Sequence, residues 1–253
     1  MPEQAIYRTE RYKLTKPRML NFLKHLNENS QQIASLYVPP GYAPKTIEGL
    51  LETSIEKSRI PPEAVKAINE SATGAVIFWG DDQRYLIMPP FPILEESSLP
   101  GCNIEPLTHL LNRKFCLALI LVRLGAFAIG VYLGEERICS KVGTGNVHAR
   151  HRQGGSSSHR FERHREKQME TFFTRVCQHA REQLEPFERQ VEWMIYGGTR
   201  ETLLEFRKQC HYLAQFDSRT LDLLLNIREP KQAGLEEAIR EAWSCRIIRW
   251  VEN

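Results

Sequence analysis

The sequence predicts an α/β (α+β) chain folded as two mixed domains. Apolar runs of strand length alternate with helically spaced segments along all 253 residues. A Pro- and Ser-rich stretch, 89–100, breaks that alternation as a linker would. Beyond it, three apolar runs in quick succession precede one long amphipathic segment, the pattern of a sheet with a helix laid on it. The length suffices for two modest cores. The boundary falls near residue 105, giving a first domain over 1–105 and a second over 106–253.

Taken in order, residues 1–17 read as a polar lead-in. Arg18 to Asn29 has helical spacing, with Met19, Phe22, Leu23 and Leu26 on one face. Ile33 to Val38 is a buried strand stopped by Pro39 and Pro40. Thr46 to Ser58 is helical, and Pro61 and Pro62 open a second helix through Asn69. Gly74 to Trp79 and Arg84 to Met88 are strands flanking a hairpin turn at Gly80, Asp81 and Asp82. A short helix, Pro106 to Asn112, leads into the second domain.

That domain opens with Lys114 to Arg123, so apolar that it reads as a strand buried on both faces. Ala126 to Leu133 and Glu135 to Val142 follow tight turns and complete an antiparallel meander. Ser158 to about Leu184 is one long helix with Phe161, Met169, Phe172, Val176, Ala180 and Leu184 as its apolar stripe. Gln190 to Tyr196 is a strand, Thr199 to Cys210 a helix and His211 to Ala214 a short strand. Helices at Ser218 to Asn226 and Gly234 to Ala242 precede a last strand, Cys245 to Val251.

Composition excludes several classes. No run approaches eighteen apolar residues and the first twenty residues carry no apolar signal segment, so a cytoplasmic protein without membrane contact is expected. The six cysteines are scattered, with no C-x-x-C pair, which argues for free thiols packed as small hydrophobes over a disulfide framework or a zinc site. No set of acidic residues sits at strand positions in a nuclease-like pattern. Neither a metal nor a cofactor is expected.

The charge is informative because it is local. The formal net charge is only +3, yet Arg150, Arg152, Arg160, Arg163, Arg165 and Lys167 crowd one window against Glu162 and Glu166. His148, His151, His159 and His164 lie in the same window, around a Gly154, Gly155, Ser156, Ser157, Ser158 turn. A cationic, glycine-hinged protrusion suits a phosphate backbone, in particular a crowded RNA site. The histidines invite a metal, but the neighbouring arginines repel a cation, and contact with phosphates or bases is the better reading. Gly143, Gly145 and Asn146 lack the Gly-Lys-Ser/Thr continuation of a phosphate loop. Gly197 and Gly198 read as a turn. The serines lack a nucleophile elbow and an acid partner, so one of them is expected to cap the long helix.

The stretch RQGGSSSHRFERHREK resembles the central loop and helix of the archaeal and eukaryotic class 1 peptide-chain release factors, where Gly-Gly-Gln and a serine precede an Arg-Phe-x-Arg-x-Arg helix start. Gly154 and Gly155 match the paired glycines, Ser157 the serine, and Arg160, Phe161, Arg163 and Arg165 the helix start. The strands from Lys114 to Leu133 match the family's central meander, and IASLYVPP its first-domain strand; Ile55 to Ile60 is faintly similar to its codon-reading tip. The resemblance implies a second domain of release-factor type, with a mixed sheet, a long helix and a protruding Gly-Gly loop. A two-domain form without a third domain is expected, most similar to the bacterial Vms-like release factors.

That resemblance implies a ribosome-associated release or rescue factor: a peptidyl-tRNA hydrolase acting at the peptidyl transferase centre without a stop codon. Its partners would be the large subunit with its rRNA and peptidyl-tRNA, and the protein a monomer in solution. The expected catalytic residues are Gln153, Gly154, Gly155 and Ser156. The expected RNA-binding residues are Arg150, His151, Arg152, His159, Arg160, Arg163 and Arg165. Ser156 stands where the family has its glutamine, and Gln153, before the glycines, is the nearest one. The alternatives are a non-catalytic tRNA- or ribosome-binding rescue factor of the Pelota type, and a free RNA-processing enzyme.

Overall fold

The computed structural model describes residues 7–28, 33–54, 61–80, 83–99, 101–147 and 158–252. Two compact units divide the chain: 1–113 with 243–253, and 114–242. The division expected at 105, with everything after it in the second domain, is therefore corrected. The last strand returns to the first unit, because its backbone finds ladder partners there.

Among the described residues, six strands form the first sheet, in the order β1 (Tyr7–Leu14), β11 (Cys245–Glu252), β4 (Arg84–Met88), β3 (Ala75–Trp79), β2 (Ala34–Val38) and β5 (Ser97–Leu99). Its described pairings are antiparallel. The central strands β3 and β4 are buried at every position, so both faces of the sheet carry a core. Helices α1 (Lys16–Glu28) and α4 (Glu105–Asn112) supply Met19, Leu23, Leu107 and Leu111 to one face, against Tyr37, Phe78 and Ile87. Helices α2 (Pro44–Ser54) and α3 (Pro62–Asn69) supply Ile47, Leu51, Ala64 and Ile68 to the other, against Leu36, Ile77 and Trp250.

Two expectations fail here. The supposed polar lead-in contains β1, whose polar alternation is that of an edge strand held by β11 in register, Tyr7 opposite Glu252 and Leu14 opposite Cys245. The supposed linker holds β5 and packs Phe91, fully buried, edge-on against Trp243 at 4.7 Å. Proline and serine there mark a connection tied into the core. The codon-tip match at residues 55–60 and the turn at residues 81–82 lie outside the described residues.

The second unit carries, among its described residues, the sheet order β10 (Thr220–Leu225), β9 (Trp193–Gly198), β6 (Cys116–Arg123), β7 (Ala126–Leu133), β8 (Glu136–Thr144). The meander β6–β7–β8 is antiparallel, whereas β9 runs parallel to both β6 and β10, so the mixed sheet is present as expected. Helix α5 (Ser158–Leu184) and helix α6 (Arg200–Gln209) pack on one face, with Phe172, Phe173, Val176, Ala180, Leu203 and Phe206 in one core with the strands. Helix α7 (Gln232–Ala242) closes the unit.

His211–Arg219 is a 3-10 helix where a strand was expected, and Thr220–Leu225 is a strand where a helix was expected. Leu221, Leu224 and Leu225 have helical spacing, but parallel pairing with β9 satisfies their backbone and overrides it. Cys177 on α5 and Cys210 at the end of α6 form a disulfide, Cα to Cα 5.4 Å, contrary to the expected free thiols. Packing of the two helices brings together residues separated by 33 positions. No helix among the described residues is long and apolar enough to cross a membrane.

Candidate nucleic-acid interface

β8 ends at Thr144 and α5 begins at Ser158, so the strand and the helix frame the segment that carries the Gly-Gly turn. Gln153, Gly154, Gly155 and Ser156 lie outside the described residues, as do Arg150, His151 and Arg152. His159 lies in the first turn of α5, and Arg160, Arg163 and Arg165 follow along that helix. The structure thus brings the latter four basic residues onto one element.

α5 is a helix of two kinds. From Arg160 to Thr171 no residue is buried, a length of about 18 Å at 1.5 Å per residue. From Phe172 onward, Phe172, Phe173, Val176, Ala180 and Leu184 are buried. Phe161, expected in the buried stripe, is 56% exposed and is corrected: the core begins farther along the helix. The first turn holds no acidic residue, and Arg160 stands where backbone N–H dipoles already make the helix end positive. This arrangement works against the isolated helix and favours a bound anion.

Two clefts flank the cationic part. One, of about 580 Å³, separates α5 from α6, with Arg163 and Lys167 on one wall and Lys208 on the other, and with Glu166, Glu170 and Glu205 among them. Gln209 fixes that junction by donating from Nε2 to Glu170 O at 2.8 Å and to Thr174 Oγ1 at 2.7 Å. The second, of about 390 Å³, lies between α5 and the end of β8, lined by His164, Lys167, Gln168, Thr171 and Arg175 with no acidic group. Arg175 donates from Nη2 to Thr144 O, bracing the base of the loop against the helix.

The Gly143 and Gly145 pattern has a packing reason. A Cβ on Gly143 would meet the Phe127 ring at 2.5 Å, and one on Gly145 the Phe172 ring at 2.5 Å. Gly145 N–H also donates to Gly125 O at 2.8 Å, carrying the strand pairing one step past β8. These glycines let the strand pass close over two core phenylalanines, a role that spacing alone left open. Gly197 and Gly198 likewise sit tight against β6, where a Cβ on Gly198 would meet Val122 O at 2.0 Å and φ is +134°.

Of the four histidines, His148 and His151 lie outside the described residues, and His164 shares a hydrogen bond with Gln168 at 3.5 Å. Among the described residues no three potential ligands group as a metal site. Sequence reasoning missed Lys208 and Gln209, which meet α5 only through the fold, and Arg175, which lies on α5 itself one turn past Thr171.

The family model described as the Actinobacteria/chloroflexi VLRF1 release factor matches residues 116–248, more than half of the chain. Peptide chain release factor subunit 1 of Archaeoglobus fulgidus is 28% identical over 200 residues, covering 78% of this chain and 48% of that protein. The protein of the same name from Thermococcus sibiricus is 25% identical over 271 residues, covering 92% and 63%. The chain thus spans less than two thirds of the length of these relatives. A solved archaeal translation termination factor is 20% identical with a TM-score of 0.41, over 90% of this chain and 70% of that one.

Proposed function

The chain belongs to the Actinobacteria/chloroflexi VLRF1 release-factor family, within the class 1 release-factor superfamily, and on that premise we propose a release or rescue factor hydrolysing peptidyl-tRNA without a stop codon. The observation that carries the proposal is the N-terminal stretch of α5, where Arg160, Arg163 and Arg165 stand at the positive end of the helix and no residue up to Thr171 is fully buried. In this reading Arg160, Arg163 and Arg165, with His159 and the loop residues Arg150, His151 and Arg152, grip rRNA and tRNA phosphates. Such contacts position a protein without reading sequence.

The chemistry assigned to the loop is hydrolysis of the ester linking peptide and tRNA in the large subunit. Gly154 and Gly155 admit backbone torsions closed to other residues, allowing the turn to enter a narrow site. Placing a water against the ester carbonyl is mainly an orientation effect. With Ser156 at the position of the family's glutamine, that placement falls to Gln153 or to the backbone N–H groups of the turn.

The Ser156 replacement favours a second reading, a Pelota-type factor that binds stalled ribosomes without hydrolysis. One experiment separates the two: incubation of the protein with ribosomal complexes carrying labelled peptidyl-tRNA, scoring peptide release and ribosome binding together. Release that is abolished by Gly155→Ala while binding persists is the expected result. Tight binding with no release from the unaltered protein would leave the non-catalytic reading standing.

A further inference from the structure

Arg175 is a basic side chain that the release reading leaves unused. It stands on α5 where the core begins, beside the buried Phe172, Phe173 and Val176, yet is itself exposed. The cleft it lines holds no acidic group. Its Nη2 donates to the carbonyl of Thr144, the last residue of β8. A charged donor on a main-chain acceptor is among the stronger protein hydrogen bonds.

The contacts between β8 and α5 give that bond a direction. Cys139 Sγ meets Gln183 O at 3.8 Å, Thr144 meets Arg175, and the space beside Gly145 is filled by Phe172. The chain from 139 to 145 therefore runs against α5, toward the N-terminal end of the helix. It covers about 20 Å as a strand while the helix from 183 to 172 covers about 17 Å, so the two stay side by side. Val147 still packs against the core. Gly145 is closed in: its N–H donates to Gly125 O at 2.8 Å, and a Cβ on it would meet Phe172 at 2.5 Å and Arg175 Nη2 at 3.0 Å. A Cβ on Gly125, at φ +90°, would in turn meet Gly145 O at 3.1 Å. Packing thus fixes where the strand ends, and Arg175 is a polar tie at that point.

We propose that Arg175 latches the end of β8 to α5 and sets the direction in which the chain leaves the sheet. Through that direction it is a positioning residue for the reaction assigned to the loop, so the inference rests on the release reading. Its physical basis is leverage. Beyond Val147 the chain passes through Gly154 and Gly155 before it rejoins α5 at Ser158, so an error of direction at Thr144 is carried toward the reacting groups. Arginine suits the task because its guanidinium holds several N–H donors in one plane and stays charged at any working pH. With no acidic group in its cleft, contact with a phosphate is the competing role for Arg175, and the test separates the two.

The test compares the whole chain with Arg175→Ala and Arg175→Lys on ribosomal complexes carrying labelled peptidyl-tRNA. It also follows amide exchange at Gly145 in the free protein, with the buried Ile129 as reference. Arg175→Ala should lower kcat for release by about 10- to 100-fold, the loss that a displacement of about 1 Å brings, with KM nearly unchanged. The slope of binding against salt should stay as it is, since a latch contacts no phosphate. Exchange at Gly145 should speed up while Ile129 keeps its protection. Arg175→Lys, which can still donate to Thr144 O, should restore part of both the rate and the protection. An unchanged kcat in Arg175→Ala overturns the proposal. So does a flatter salt slope with a raised KM, the signature of a phosphate contact. No release from the unaltered protein would overturn the release reading instead, and the latch would then stand or fall on Gly145 exchange alone.

Discussion

The two halves of α5 share a backbone conformation and little else. Its C-terminal half carries Phe172, Phe173, Val176, Ala180 and Leu184 into the core, while the half from Arg160 to Thr171 holds no fully buried residue. The first kind of surface stabilises the fold in proportion to apolar area removed from water. The second gives the core only the partly buried Met169, and its charged side chains lie at the surface. A helix whose first turns run past its core, from Arg160 to Gln168, carries their charges on a rigid rod. The difference teaches where to look for function in this unit: at the point where the periodic apolar stripe stops and the helix does not.

The comparison breaks most decisively at two phenylalanines. Phe172→Ala should destabilise the protein by about 3–5 kcal/mol, as large core truncations do. Phe161→Ala, eleven positions earlier, should stay within about 0.5 kcal/mol. Urea unfolding of both variants checks the pair, and a large loss at Phe161 would mean that the core reaches the cationic half.

Next in size is the triple change of Arg160, Arg163 and Arg165 to Glu. Stability should hold, whereas the slope of ribosome binding against salt should flatten by about 2–3 as three phosphate contacts are lost. Sedimentation with large subunits at several salt concentrations reads this directly. An unchanged slope would remove the cationic half from the interface.

Gly145→Ala sharpens the boundary between the halves. Its methyl would press on the buried Phe172 ring, and a cost of about 1–3 kcal/mol is expected from overpacking. Thermal unfolding measures it. Gly41, where nothing lies within 4 Å but φ is +85°, serves as the contrasting site, where strain comes from the backbone alone.

A pH dependence is shared by both units. Burial pushes the Cys245 thiol of the first unit up to about 12, and the phenols of Tyr132 and Tyr196 in the second also to about 12. The folded state thus holds protons that the unfolded chain releases above the ordinary values, 9.0 for the thiol and 10.0 for the phenols. Their stabilising contribution is complete below those values and is lost as pH rises toward 12. The urea midpoint should fall between pH 8 and pH 11, and Cys245→Ser should reduce that fall. A flat profile would count against the burial of all three groups.

Much of this was written into local sequence. The strands β2, β3, β4, β6 and β7 and the helix α5 follow from apolar runs and periodicity, because burial of a regular element must show as a pattern along the chain. The cationic cluster before and within α5, and with it the family resemblance, was equally plain. The catalytic assignments at Gln153, Gly154, Gly155 and Ser156 rest on the motif and remain proposals. The line between cationic and core parts of α5 was not legible, since Phe161 continues the spacing of Phe172 and only the end of the sheet decides which is covered.

By itself the sequence determined two mixed α/β units, the mixed sheet with its long helix, and the place where positive charge collects. Only the tertiary structure decided that β1 is a strand, that Thr220–Leu225 pairs with β9, and that β11 leaves its neighbours in sequence to join the first sheet. It also decided that Cys177 meets Cys210, and that Lys208 shares a cleft with Arg163. The reason is common to all of these. Periodicity reports the burial that an element achieves within its own span, whereas strand pairing, crosslinks and charge clusters depend on partners distant in sequence, which no local pattern encodes.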